Sequence, residues 1–220
     1  MFKNQYSSQH KLVHKMVQAT TKFFYLACPD KIVKLSISQV IKWMSPTKPF
    51  IKLNTDGSFL DNPGMAGAGG LLRDSSGSWI SRFSLSMGIT TNNMAELGAV
   101  HQGLMLAWDL RFKFIQLEID SMIVLIWLTT TTSNFPLDVF PLLCDSRNLI
   151  ERAWEVQVHH VYHEANECAD VLAKQGNHQQ QLLKIYNTCP NLVYQCFVRD
   201  MVGLGSSKIC PLRLDMVVDV

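Results

Sequence analysis

Between Phe50 and Asp120 the apolar period changes twice, and this double change restricts the fold more than any other feature of the 220-residue chain. Residues 50–56 (FIKLNTD) alternate in twos, residues 66–73 form a glycine-rich apolar run, and residues 79–87 alternate again. Three strands are predicted. Asp61-Asn62-Pro63-Gly64 and Asp74-Ser75-Ser76-Gly77 supply turns between them. Leu97, Val100, Leu104 and Trp108 then recur at three- and four-residue intervals behind Thr91-Asn92-Asn93, the pattern of an amphipathic helix with polar side chains at its start. Residues 114–120 return to alternation, with Ile115, Leu117 and Ile119 on one face. A strand, helix, strand crossover implies that the first and fourth strands pair in parallel, because parallel neighbours need such a connection.

The remaining pattern extends this order. A helix is expected from near Ser121, turn residues at 134–141, a helix at 142–152, a fifth strand at 156–162 and a closing helix at 166–176. The whole reads strand-strand-strand-helix-strand-helix-helix-strand-helix, an α/β arrangement. Ser45-Pro46-Thr47-Lys48-Pro49 punctuates the chain as a linker does, so three segments are expected. These are an N-terminal arm and linker (1–49), a domain (50–178) and an accessory tail (179–220).

A hydrophobic content of 47% suffices for one core. The longest apolar run, residues 122–128, falls far short of the roughly 20 residues that a bilayer span requires. The N-terminus also lacks the apolar stretch of a secretory signal. An intracellular protein of nucleus or cytoplasm is expected, without membrane or obligate protein partner, as a monomer. The six cysteines form no CxxC pair and read as reduced, mostly buried thiols. Residues 1–48 hold eight lysines and one acid, leaving 12 basic and 17 acidic residues behind them. A basic arm therefore precedes an acidic body, and such an arm can touch phosphate backbones or simply be solvated.

Four acids stand at the ends of elements. Asp56 and Asp120 close the first and fourth strands, and parallel pairing would put them at one sheet edge. Glu96 is expected in the first turn of the long helix and Asp170 in the first turn of the last. Each has an ordinary explanation. Aspartate before Gly57-Ser58 suits a turn, Asp120-Ser121 suits a cap, and acids are favourable at helix starts. Taken together they suit divalent cations, since hard ions such as Mg²⁺ take oxygen ligands and keep several waters. Two ions about 3.5–4 Å apart can flank an in-line phosphoryl displacement.

Four stretches carry a family resemblance: Thr55-Asp56-Gly57-Ser58 with Asn62-Pro63-Gly64; Thr91-Asn92-Asn93-Met94-Ala95-Glu96-Leu97; Ile119-Asp120-Ser121; and His160-Val161-Tyr162-His163-Glu164-Ala165-Asn166 with Ala169-Asp170-Val171-Leu172-Ala173. In this order the chain resembles ribonuclease H, and more narrowly the ribonuclease H-like domain of plant non-LTR retroelements and host proteins derived from them. The match covers about residues 50–178. Trp43, Pro46 and Pro49 before it, and Cys189-Pro190, Asp200 and Arg213 after it, support it.

The resemblance implies a ribonuclease H-like fold, with a five-stranded mixed sheet of three antiparallel strands and two parallel to the first, flanked by helices. It implies that Asp56, Glu96, Asp120 and Asp170 ligate two Mg²⁺ ions, with Mn²⁺ as an alternative, and that the RNA strand of an RNA–DNA hybrid is hydrolysed. Ser58, Asn62, Asn92 and Asn93 are the implied hybrid contacts. Side-chain amides suit the 2′-hydroxyls and base edges of a wide minor groove, although Asn in a turn or at a helix start is also ordinary. His163 departs from the plant group, which usually has arginine there. A histidine can shuttle a proton to the leaving group or partner the metal site; it can also be drift on an exposed loop. His160, at the strand end, is expected to be packed or hydrogen-bonded, and His159 has no assigned role. The lysine-rich arm can replace the basic extension by which some ribonucleases H hold the duplex. Other readings stay open: a retroelement-derived binding module without turnover, an exonuclease- or integrase-like chemistry on the same fold, and a remnant with no selected role.

Overall fold

The structure, a computed structural model, describes residues 36–60, 63–131, 135–186 and 190–211. Strands β1 (Ser36–Ile41), β2 (Ile51–Phe59), β3 (Gly64–Arg73) and β4 (Trp79–Thr90) precede helix α1 (Asn92–Asp109). Then follow β5 (Phe114–Ile119), α2 (Met122–Thr129), α3 (Phe140–Ile150), β6 (Glu155–His160), a single 3-10 turn (His163–Ala165) and α4 (Glu167–His178). The sequence closes with β7 (Leu183–Tyr186), α5 (Asn191–Met201) and β8 (Ser206–Pro211). The described residues divide into a body of residues 40–207 and a small unit holding residues 36–39 and 208–211. Strands β1 and β8 pair in a two-stranded sheet of their own.

The main sheet runs β6-β5-β2-β3-β4-β7. The pairs β2/β3, β3/β4 and β4/β7 are antiparallel, while β2/β5 and β5/β6 are parallel, so the expected mixed sheet is present with one strand more than expected. The sixth strand, β7, has only four residues, and two polar anchors hold it. Tyr186 lies 5.7 Å from the buried Arg82 guanidinium, which also stacks 3.8 Å over Trp79. The Tyr186 hydroxyl meets Ser84 Oγ at 3.0 Å. So short a segment has no periodicity of its own to announce it.

Helix α1 covers one face of the sheet. Leu53, Leu97, Val100, Leu104, Ile115, Leu117 and Ile119 form the core there, with α2 and α3 contributing Val124 and Leu143. Helix α4 covers the other face, where Leu71, Ala169 and Leu172 meet Val193 and Cys196 of α5. That second contact requires glycine, since a Cβ on Gly69 would lie 2.2 Å from the backbone nitrogen of Ala173. The described cysteines are free; Cys168, Cys196 and Cys210 are buried and Cys144 is partly so. No helix among the described residues is long and apolar enough to cross a membrane.

The polar side of the alternation in β2 does not face water. Lys52 is 2% exposed, Asn54 0% and Arg73 1%, and together they build a buried network. The Lys52 ammonium pairs with Glu118 and donates to Met44 O at 2.6 Å. Asn54 Nδ2 donates to Glu118 Oε2 at 2.9 Å, and Asn54 Oδ1 accepts from Trp43 Nε1 (3.0 Å) and Arg73 Nη2 (2.9 Å). Arg73 pairs with Asp200 of α5 at 2.6 Å and stacks 3.7 Å over the Trp43 ring. Burial pulls the Lys52 pKa down, while its pairing with Glu118 works against that shift. Trp43 lies before the boundary expected at Phe50, so packing of the body begins ahead of that point.

Removing one member of a buried pair strands the other, at a cost of about 3–5 kcal/mol. Asp200→Ala should therefore lower unfolding stability in urea by about 3 kcal/mol or more. The half-exposed Arg199–Glu167 pair, 2.7 Å apart, is the control: Glu167→Ala should change stability by less than about 1 kcal/mol. Equal small effects would show that Arg73 does not depend on its partner.

Candidate active site

Parallel register sets the site. Thr55 of β2 pairs with Ile119 of β5, so Asp56 and Asp120, one residue further on, stand at the same edge. The first strand was expected to end at Asp56, with Gly57-Ser58 as turn residues; β2 instead continues to Phe59. The glycine there serves close approach. A Cβ on Gly57 would lie 2.3 Å from the Glu96 nitrogen and 2.6 Å from the carbonyl carbon of Ala95. Any side chain would push α1 away from the strand. In return the Gly57 amide donates to Glu96 Oε2 at 3.0 Å. Glu96 was expected in the first turn of its helix; α1 begins at Asn92, which puts Glu96 in the second turn, where this single amide orients it.

Asp170 does stand in the first turn of α4. That helix start is tied to β2 by Asn166, whose Nδ2 donates to Thr55 O at 2.9 Å. Asn166 occupies the N-cap position without making a side-chain cap; the resemblance includes it in a motif but implies no contact for it. Its residue type is the ordinary signal of a cap, which hides its use as a cross-link. Lys174, one turn further along α4, pairs with Asp170 at 2.6 Å. On the β5 side, His160 Nε2 donates to the backbone oxygen of Asp120 at 3.1 Å, and its ring meets Tyr162 edge-on at 5.9 Å. Ser121 is the N-cap residue of α2 and accepts from Val124 N at 3.4 Å, which leaves the Asp120 side chain free of capping duty.

The four carboxylates act on one another. Burial raises the Asp56 pKa well above the ordinary range, and the charges of Glu96, Asp120 and Asp170, together with a hydrogen bond shared with Asp120, raise it further. Glu96 is pushed up to about 8 by burial and by Asp120 and Asp170, against the opposing pull of the Gly57 amide. His163 opens the 3-10 turn and brings Nδ1 to 3.4 Å from Asp120 Oδ2, with its side chain 54% exposed. Asp56, Asp120 and His163 can each offer one ligand atom, and those atoms lie within 4.8 Å of one another. This donor set suits divalent cations, because mutual repulsion among buried oxygens is what a cation relieves.

The other sequence-derived candidates are placed differently. Ser58 is buried and its hydroxyl accepts from Asn177 Nδ2 of α4 at 3.0 Å, so it is engaged within the fold. Asn92 and Asn93 open α1 and are partly buried; the N-cap residue itself is Thr91, whose side chain makes no capping bond. Asn62 lies outside the described residues.

A carboxyl group with a raised folded-state pKa keeps its proton where the unfolded chain has released it. Folding stability therefore falls as pH rises, here from about 4.5 towards about 8 for Glu96. In EDTA the melting temperature should decline across that window. Asp56→Asn removes one repelling charge and should raise it at pH 8 by about 5 °C. Millimolar Mg²⁺ should stabilise the unsubstituted protein more than the variant. A lower melting temperature for Asp56→Asn at pH 8 in EDTA would contradict this account of the site.

The family model described as reverse transcriptase-like matches residues 54–176, a span that runs from β2 through most of α4. A protein of Arabidopsis thaliana, provisionally named a ribonuclease H protein, is 40% identical over 184 residues, which is 83% of this chain and 29% of that protein. The chain thus spans less than a third of that relative. RNase H1 of the halophilic archaeon Halobacterium salinarum superposes with a TM-score of 0.55 at 30% identity, over 58% of this chain and 96% of that one. LC11-RNase H1, solved in complex with an RNA/DNA hybrid, superposes with a TM-score of 0.53 at 24% identity, over 57% and 94%, a likeness of fold. With its three antiparallel strands, its parallel crossover and its acids gathered at one sheet edge, the chain belongs to the reverse transcriptase-like family, on the ribonuclease H fold.

Proposed function

We propose that this protein is a metal-dependent endonuclease that hydrolyses the RNA strand of RNA–DNA hybrids. The observation that carries the reading is the gathering of Asp56, Glu96, Asp120 and Asp170 at one sheet edge, close enough to raise the pKa values of Asp56 and Glu96. Membership of the family and the likeness to solved ribonucleases H support it.

Asp56, Glu96, Asp120 and Asp170 would hold two Mg²⁺ ions, with Mn²⁺ as an alternative. Bound there, such ions supply Lewis acidity and an activated water for in-line displacement at phosphorus. The protein supplies position. Asp56 is fixed within a central strand, Glu96 is oriented by the Gly57 amide, and Asp170 is steadied by Lys174. His160 holds the backbone at Asp120. Asn92 and Asn93, at the start of the helix that carries Glu96, together with Asn62, are assigned to the hybrid's minor groove. There, amides can donate to and accept from 2′-hydroxyls, and contact with a 2′-hydroxyl is what separates an RNA strand from DNA.

A labelled hybrid should be cleaved in Mg²⁺ while matched single-stranded and double-stranded RNA are spared. Asp120→Asn should lower the rate about 100-fold or more. Binding of the hybrid without cleavage would replace this reading with a nucleic-acid-binding module. Unchanged cleavage by Asp120→Asn would overturn the metal assignment.

The lysine-rich residues 1–35, which carry six lysines and one acid, are assigned the role of gripping phosphates outside the acidic body. A chain starting at residue 36 keeps Trp43 and its buried contacts. Without the arm, hybrid affinity at low salt should fall about tenfold and the salt slope should become shallower. An unchanged slope would remove the arm from substrate binding.

A further inference from the structure

Among the described residues, His163 approaches the acids differently from the other basic groups near them. Lys174 meets Asp170 as a cation on its rim, and His160 is committed through its ring to the Asp120 backbone. His163 instead directs a ring nitrogen at the Asp120 carboxylate and belongs to the same cluster of potential ligand atoms as Asp56. The other two acids each have an oxygen engaged, Glu96 by the Gly57 amide and Asp170 by Lys174. The set converging on one point is therefore two carboxylate oxygens and one imidazole nitrogen.

The spacing suits a shared ion. Two ligand atoms on adjacent positions of an octahedral ion, with bonds of about 2.1 Å, lie about 3 Å apart, and opposite ones lie about 4.2 Å apart. The Nδ1–Oδ2 separation is 3.4 Å and the cluster spans no more than 4.8 Å, so sub-ångström contraction closes it on a cation. The short 3-10 turn presents the ring, and Asn166 immediately after it is pinned to Thr55 O beside Asp56. That anchor limits how far the turn can move from the strand.

We propose that His163 is a direct ligand of the ion held between Asp56 and Asp120, and that this nitrogen makes the site favour Mn²⁺ and later first-row ions over Mg²⁺. The inference rests on the reading that these carboxylates bind divalent cations. Its chemical basis is that Mg²⁺ takes oxygen donors and keeps its waters, whereas imidazole is a good donor to transition ions.

The test uses the full chain and Mn²⁺ as a paramagnetic probe. Electron spin echo spectra of bound Mn²⁺ should show modulation from a directly bonded ¹⁴N. In His163→Ala that modulation should vanish, and the Kd for Mn²⁺ should rise about tenfold, while the Kd for Mg²⁺ measured by competition stays within about twofold. His163 is largely exposed, so its replacement should leave the fold intact, and an unchanged melting curve in EDTA checks this. Asp120→Asn should weaken both ions. If Asp120→Asn weakens binding but the ¹⁴N signal is absent, or persists in His163→Ala, the histidine is only an ion-pair neighbour and this proposal fails while the carboxylate site stands. Equal loss of Mn²⁺ and Mg²⁺ affinity in His163→Ala also overturns the claimed preference. If Asp120→Asn binds both ions like the unsubstituted protein, the carboxylate reading itself fails.

Discussion

The parallel register between β2 and β5 is the constraint on which the site depends. Because Thr55 faces Ile119, two aspartates that are 64 residues apart in sequence leave the sheet side by side. A slip of one residue would turn every side chain of β2 to the opposite face. That would drive Lys52 and Asn54 into the apolar layer under α1 and Leu53 into the charged layer. The register is therefore held from both faces at once, by Leu53 packing on one side and the Lys52–Glu118 pair on the other. The two aspartates are thus positioned by a central strand pair rather than by loops.

Much of this was legible in the sequence because the signals were long or chemically specific. The twelve-residue and eighteen-residue elements β4 and α1 repeat their periods often enough to be read. The crossover between β2 and β5 follows from topology once both strands are recognised. The four acids were recognisable because each sits at the end of an element or near it. What remained hidden depended on contacts between distant residues. Gly57 after an acid looks like a turn, and only the approach of the Glu96 backbone reveals why the strand continues through it. Alternation in residues 50–56 looks like a strand with one wet face, because a pattern cannot say that Trp43 and Asp200 will come to cover it.

The same limit applies to the chain ends of the domain. Trp43 and Asp200 each supported the family resemblance without a stated reason. In the structure they meet the same arginine, one as a stacking surface and one as a counter-ion. Arg73 closes β3, a strand flanked on both sides, and is buried, so its guanidinium depends on such partners. Residues on both sides of the expected 50–178 segment thus contribute to its buried layer.

Charge changes character along one face of β2. Lys52, Asn54 and Asp56 alternate onto the same side. Lys52 is met by Glu118, and Asn54 is surrounded by Trp43, Arg73 and Glu118. Two residues on, Asp56 is as buried as its neighbours but also meets three further carboxyl groups, so that burial first and their charges next hold its pKa high. Burial alone cannot account for the difference, since all three positions share it. What differs is whether the protein provides the counter-charge. It does so for Lys52 and Arg73, through Glu118 and Asp200, whereas at the edge Lys174 pairs with Asp170 and His163 stands 3.4 Å from Asp120. The repulsion left at that end is what holds protons on Asp56 and Glu96, and it is what a divalent cation would relieve.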